Sequence, residues 1–134
     1  MLSPIICYNH HVDEHYKRKG GGFMRIFTKN FIDILNIAEF PDFVEKIILF
    51  GSEVYGQPTV FSDIDLAIIT KIRPTLENKV FLDDYIQSFE PPCECNLTWV
   101  NNIKDIKFTK ALDVRKNILT KGVVIYDREN IYGY

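Results

Sequence analysis

Two acidic residues, Asp63 and Asp65, stand two positions apart at the start of an otherwise apolar run. On a β-strand, alternation places both carboxylates on the same face, a few ångströms apart. Neighbouring carboxylates repel each other, whereas hard divalent cations such as magnesium bind such oxygen ligands together with phosphate groups. The pair alone also fits a solvated acidic turn, so the residues before it decide between the two interpretations.

The segment Phe50-Gly51-Ser52 precedes the aspartates and ends a short apolar run. Glycine permits a close approach of the main chain, and a serine hydroxyl can donate a hydrogen bond to a phosphate. A helical turn is expected after Ser52, and its free N–H groups would attract an anion. The combination favours a site for a phosphate-bearing ligand and a divalent cation.

The elements that position these residues follow from the spacing of the apolar residues. Helical spacing covers residues 30–40, 81–89 and 109–120, and short apolar runs predict strands over 46–50, 63–70, 93–100 and 123–126. Pro41 ends the first helical pattern and Gly122 follows the last one. Strands separated by helices, with one tight return between residues 50 and 63, predict an α/β (α+β) fold with a small mixed sheet of about four strands flanked by helices.

These motifs resemble the nucleotidyltransferase superfamily related to DNA polymerase beta, in particular its minimal, stand-alone bacterial and archaeal members. The similar stretch is Leu49-Phe50-Gly51-Ser52, ten intervening residues, and Asp63-Ile64-Asp65-Leu66, with Ser62 before the first aspartate. Residues 121–126 also resemble the final strand of that superfamily. The resemblance covers residues 31–127 and implies the polymerase beta-like fold.

The resemblance also implies a reaction. A substrate hydroxyl would attack the α-phosphorus of a nucleoside triphosphate in line and release pyrophosphate, with ATP as the expected donor among the nucleoside triphosphates. Asp63 and Asp65 would be catalytic and would bind two Mg²⁺ ions. Ser52 and the main chain of Gly51 would hold the β- and γ-phosphates, and Ser62 would also contact the nucleotide.

A third carboxylate on the neighbouring strand is implied by the same resemblance, as a metal ligand and as the base for the attacking hydroxyl. In residues 93–99, alternation places Glu94, Asn96 and Thr98 on one face and apolar residues on the other. An amide cannot act as a base and brings no negative charge to a metal. We therefore favour Glu94 as the third catalytic and metal-binding residue, with Asn96 as its rival.

Basic residues are concentrated between positions 104 and 121. Most of them fit a solvated helix face. Arg115 and Lys121 are the two that we expect to reach the triphosphate or the acceptor, because an acidic site needs added positive charge when an anionic substrate binds.

Composition limits the remaining functions. The chain has 134 residues, a formal net charge of -2 and 46% hydrophobic residues, which predicts one globular domain and excludes a strongly basic nucleic-acid coat. No apolar stretch approaches the ~20 residues of a membrane span, so we expect a cytoplasmic protein that binds no membrane. The three cysteines are then expected to be reduced, and no pattern favours sequence-specific nucleic-acid binding.

The composition changes near residue 23. Residues 1–23 contain all three histidines and a run of three glycines, without helical or strand periodicity. The codons for residues 19–24 can contain a GGAGG-like stretch shortly before an ATG, as at a bacterial ribosome-binding site. We expect residues 1–23 to be a flexible N-terminal leader and residues 24–134 to be the nucleotidyltransferase domain, starting at Met24.

Two classes of function remain open. The superfamily's minimal members are commonly paired with a HEPN-domain protein in toxin–antitoxin systems, so the resemblance implies a HEPN-like protein acceptor that the transferase adenylylates. Self-association is the other way to complete the open acceptor side. The alternative is a catalytically impaired binding module of the same fold, which acts by protein–protein contact.

Overall fold

The sheet is built on two apolar runs rich in β-branched residues, which pair as antiparallel strands in the computed structural model. The structure describes residues 15–17, 23–56, 58–59, 61–101, 118 and 121–130. The strands are β1 (His15–Lys17), β2 (Phe23–Arg25), β3 (Lys46–Phe50), β4 (Ile64–Thr70), β5 (Cys95–Asn101) and β6 (Val123–Asp127). The helices are α1 (Ile26–Ile37), α2 (Ser52–Tyr55) and α3 (Leu76–Gln87), and a short 3-10 helix covers Arg128–Asn130.

Strands β3 to β6 form one mixed sheet in the order β5-β4-β3-β6. Strand β4 is antiparallel to β3 and parallel to β5, and β6 is antiparallel to β3. Phe50 at the end of β3 lies opposite Asp65, and Asn96 lies beside Asp65 on the other side. The end of β3 and the starts of β4 and β5 therefore meet at one end of the sheet. This mixed sheet flanked by helices confirms the predicted fold class.

The larger core cluster lies between one face of the sheet and helices α1 and α3. Alternation directs Ile64, Leu66 and Ile68 of β4 into this cluster, where all three side chains are fully buried. Helix α1 contributes Phe31, Ile32 and Leu35, and α3 contributes Leu82 and Ile86. Burial of each side chain of this size contributes roughly 1.5–3 kcal/mol to folding.

A second cluster covers the opposite face of the sheet. It contains Ile48, Phe50, Ala67, Ile69, Val100 and Ile118. Because Asp65, Ala67 and Ile69 are spaced two residues apart along β4, the Asp65 carboxylate lies on this same face, at its end. The same alternation places Asn96 and Val100 together on that face of β5.

Element boundaries differ from the predicted ones in a few places. Strand β3 spans residues 46–50 as predicted. Helix α3 begins at residue 76 rather than 81, because Thr75 and Asn78 form a capping box at its start. Strand β5 begins at Cys95, so Glu94 precedes it. The predicted helix at 109–120 lies outside the described residues except for Ile118, which is helical and buried.

Strand β1 lies within the predicted leader and pairs with β2. The pairing joins Tyr16 to Met24, and the Met24 side chain is buried in the larger core cluster. The division at residue 23 into a leader and a domain stays a prediction. Among the described residues, no helix is long and apolar enough to cross a membrane.

Candidate active site

Gly51 brings the end of β3 into direct contact with the start of β4. Its φ angle is +81°, a backbone conformation that residues with a Cβ atom rarely adopt. A Cβ atom at this position would overlap Oδ2 of Asp65. The glycine is therefore required here both by the backbone conformation and by the space that the Asp65 carboxylate occupies.

Ser52 follows Gly51 and begins the one-turn helix α2. The Val54 N–H donates to the Gly51 carbonyl at 3.0 Å, and the Gly56 N–H donates to the Ser52 carbonyl at 3.2 Å. Ser52 is half-buried, and its neighbours Glu53 and Val54 are buried. The turn thus presents Ser52 directly beside the contact between Gly51 and Asp65.

Asp63 and Asp65 lie together at the same end of the sheet, and both are half-buried. Asn96 Nδ2 donates to Asp63 Oδ2 at 3.1 Å. Burial raises the pKa of Asp65; a hydrogen bond from Asn96 opposes this effect, while the negative charges of Asp63 and Glu53 add to it. The two carboxylates therefore form a like-charged pair that one amide bridges.

A family model described as polymerase beta, nucleotidyltransferase, matches residues 32–131. The match contains the Gly51-Ser52 turn, both aspartates and all four strands of the mixed sheet. The chain belongs to this nucleotidyltransferase family. A comparison with curated proteins finds no match. The family membership supports a nucleotidyltransferase type of enzyme and confirms the resemblance that the motifs indicated.

Glu94 and Asn96, the two candidates for the third position in this nucleotidyltransferase, are placed differently. Asn96 lies within β5, in register with Asp65. Glu94 lies before β5 and is exposed, and its main-chain carbonyl accepts a hydrogen bond from the Ile64 N–H at 2.8 Å. In the described part of the chain, its carboxylate makes no hydrogen bond or ion pair. The structure thus brings Asn96 to the aspartates, and the assignment of Glu94 as a catalytic residue stays a prediction.

The donor atoms at this site fit a divalent cation that also binds phosphate. Magnesium in proteins is held by one or two carboxylates together with substrate phosphates and water, and Asp63 and Asp65 supply two carboxylates. No cluster of three His, Cys, Asp or Glu side chains suited to a metal occurs among the residues that the structure describes. The nucleotidyltransferase family generally uses a nucleoside triphosphate and a divalent metal, and this chain retains the pair that suits one such ion.

The remaining predicted nucleotide-binding residues lie at different distances along the chain from this pair. Ser62 precedes Asp63 and closes a turn, with its Oγ accepting the Thr59 N–H at 2.9 Å and its own N–H donating to the Thr59 carbonyl at 3.1 Å. Lys121 is exposed before β6. Arg115 lies outside the described residues.

A buried ion pair next to the turn was not predicted from the sequence. Glu53 is fully buried and Arg25 is 3% exposed. The Arg25 N–H and Nε donate to the Glu53 carboxylate at 3.2 and 2.8 Å, and Nη2 lies 2.6 Å from Oε2. The Thr28 hydroxyl also donates to Glu53 Oε2. No local pattern signals this pair, because its partners are 28 residues apart in the sequence.

Proposed function

We propose that this protein is a magnesium-dependent nucleotidyltransferase that transfers a nucleoside monophosphate, with AMP from ATP as the first choice, to a hydroxyl acceptor. The observation that carries the proposal is the contact between Gly51 and Asp65. It joins a glycine–serine turn to a pair of aspartates at the end of two antiparallel strands. Family membership supplies the class of reaction.

Each residue has a distinct role in this proposal. Asp63 and Asp65 hold the Mg²⁺ ions, and the main chain at Gly51 with the Ser52 hydroxyl binds the β- and γ-phosphates. Bound magnesium would reduce the charge repulsion between the triphosphate and the attacking oxygen. Ser62, Arg115 and Lys121 are further proposed contacts to the nucleotide.

The third position has two candidates. Glu94 would serve as a metal ligand and as the base that takes the proton from the acceptor hydroxyl. Its exposed carboxylate must then turn toward Asp63 and Asp65 when substrate binds. If it does so, Glu94→Gln lowers transfer by about a hundredfold or more, within the range of general-base contributions. If Glu94→Gln leaves transfer intact, Asn96 occupies the third position and the site works with two carboxylates.

The proposed acceptor is a protein. Asp63 and Asp65 are half-exposed, so a second surface is needed to exclude water from the reacting groups. A HEPN-like partner, silenced by adenylylation in a cytoplasmic toxin–antitoxin pair, is the acceptor that we propose. A second copy of this chain is the alternative source of that surface.

A second function is favoured by one specific contact. Asn96, rather than a carboxylate, lies in register with Asp65 and hydrogen bonds to Asp63. Such a site has one negative charge fewer for binding a second metal ion and offers no base at that point. A nucleotidyltransferase fold of this kind can act as a binding module that contacts its partner without modifying it.

Labelling separates the two functions. The protein is incubated with Mg²⁺ and α-labelled ATP, with and without the product of the neighbouring gene. Label transfer that disappears in Asp63→Asn and Asp65→Asn, but persists in the surface control Asp33→Asn, supports the enzyme. A stable complex between the two proteins without label transfer supports the binding module.

A further inference from the structure

The buried pair of Arg25 and Glu53 is an expensive choice for stability alone. Both side chains leave water almost completely, and removal of two charges from water costs several kcal/mol per ion before their attraction is counted. Well-packed apolar residues of similar volume often stabilise a protein equally well or better. The contacts that the pair makes with neighbouring segments therefore indicate which role it has besides stability.

Glu53 lies in α2, immediately after Ser52. A helix of four residues has little stability of its own, because ordering the first turn costs more free energy than its few hydrogen bonds provide. The orientation of α2 depends instead on what its side chains contact. Val54 is buried in the core, and the Glu53 carboxylate is held by Arg25 and Thr28. Thr28 belongs to α1, so the turn that carries Ser52 is fastened to the first long helix.

Arg25 also reaches the two other chain segments that lead to the site. Its Nη1 donates to the Thr59 carbonyl at 3.0 Å. The Thr59 N–H in turn donates to Oγ of Ser62, the residue before Asp63. Its Nη2 donates to Cys93 Sγ at 3.6 Å, shortly before the start of β5. A planar guanidinium can serve these partners together because its donors have fixed directions, which an ammonium group lacks.

We propose that Arg25 and Glu53 are positioning residues, which hold the turn at Gly51 and Ser52 and the approach to Asp63 in the arrangement that binds a nucleoside triphosphate. This role rests on the proposed nucleotidyltransferase function. Loosening the pair moves the Ser52 turn relative to the aspartates. The main effect falls on the affinity for nucleotide, because Asp65 is held in place by the pairing of β4 with both neighbouring strands.

A double variant separates positioning from stability. Glu53→Gln alone leaves the Arg25 charge buried and unpaired, and that variant is expected to be unstable. Arg25→Met combined with Glu53→Gln removes both charges and is expected to recover most of the thermal stability. Its KM for ATP nevertheless rises about tenfold while kcat changes less than about threefold, because the turn has lost its anchor.

Two further variants sharpen the test. Arg25→Lys keeps the positive charge but loses the planar guanidinium group. It is therefore expected to raise KM for ATP and to lose less stability than Glu53→Gln does. Asp33→Asn breaks a surface ion pair in which the Lys29 side chain is 31% exposed and the Asp33 side chain is 52% exposed. This control variant is expected to leave both KM and stability nearly unchanged. If KM returns to the wild-type value in the double variant together with stability, the pair is only structural and the proposal is wrong.

Hydrogen exchange provides a readout that does not need catalysis. In the thermally stable double variant, amides of residues 51–56 and 61–63 exchange about tenfold faster or more, while those of β3 and β4 keep their protection. Uniform protection as in the wild type overturns the positioning role. If the wild-type protein neither transfers label nor binds ATP with Mg²⁺, the proposed function fails, and the exchange pattern still decides whether the pair holds the turn.

Discussion

Two sets of carboxylates near Gly51, Glu53 on one hand and Asp63 with Asp65 on the other, have opposite electrostatic environments. The Glu53 carboxylate is fully buried and receives the Arg25 N–H, two guanidinium nitrogens and the Thr28 hydroxyl. Asp63 and Asp65 are half-exposed and share one amide, that of Asn96. A buried charge without a partner destabilises a fold strongly, and at Glu53 the partner is present. The unbalanced pair of aspartates is what a site for a cationic ligand leaves open.

The first way to break this comparison is to remove the compensated carboxylate. Glu53→Ala leaves the Arg25 guanidinium buried without its counter-charge, and we expect a loss of about 3–5 kcal/mol in the free energy of unfolding. Urea unfolding followed by circular dichroism measures it. The matched control Asp33→Ala removes an exposed partner and costs less than about 1 kcal/mol. Equal losses in the two variants would contradict a special role for burial.

Gly51→Ala tests the point where the two regions meet. The positive φ angle alone costs about 1–3 kcal/mol for a residue with a side chain, and the added Cβ also displaces the Asp65 carboxylate. We expect both the free energy of unfolding and the rate of label transfer to decrease. If the overlap with Asp65 is a main cause, Gly51→Ala costs less stability in an Asp65→Ala background, which a double-mutant cycle measures. Strict additivity would leave backbone strain as the only cause.

Asp65→Asn should have the opposite sign to Glu53→Ala. The raised pKa of Asp65 means that its ionised form disfavours folding at neutral pH, so Asp65→Asn stabilises the metal-free protein there by up to about 1 kcal/mol, limited by partial exposure. The difference disappears as the pH falls through the folded pKa toward the ordinary value of 3.8, where wild-type Asp65 becomes protonated. Thermal unfolding from pH 7 to pH 3.5 follows it, and a stability deficit of the variant at pH 7 would contradict the open-site interpretation.

The smallest expected effect concerns the sulfur beside Arg25. Burial raises the pKa of the Cys93 thiol, and although the Arg25 charge opposes this effect, that of Glu53 supports it. Iodoacetamide should therefore label Cys93 slowly at pH 8, and Glu53→Gln should accelerate labelling by about two- to fivefold because the Arg25 charge is no longer neutralised. Cys95, with burial raising its pKa to about 12, is the internal control. Acceleration at both cysteines in mass spectra would indicate general opening instead.

The parts of the fold that follow short-range patterns could be predicted from the sequence. Alternation placed Asp63 and Asp65 together and put Asn96 on the polar face of its strand, and the apolar run at 46–50 became β3. Helix α3 was predicted too short, since its start depends on the hydrogen bonds between Thr75 and Asn78 rather than on apolar spacing. The choice between Glu94 and Asn96 depends on where β5 begins, which pairing with β4 decides and no local pattern encodes.

The contacts of Arg25 could not be predicted for a different reason. Its hydrogen-bond partners lie in α2, in the turn before Asp63 and in the segment before β5, far apart in sequence. A single charged residue carries no periodic signal, and a basic residue near the N-terminus is most simply interpreted as exposed. Only the three-dimensional arrangement shows that it is buried at the junction of these segments.

Pairing of β3 with β6 also affects the order in which the protein can be completed. Synthesis releases Asp63, Asp65 and Asn96 well before Val123–Asp127 leaves the ribosome, yet β3 needs that last strand on one of its two edges. Until then the Lys46–Phe50 backbone presents unpaired N–H and carbonyl groups that another chain could add to. A nascent chain that stops before Gly122 would therefore carry the Gly51-Ser52 turn and both aspartates on a sheet that is still open to aggregation.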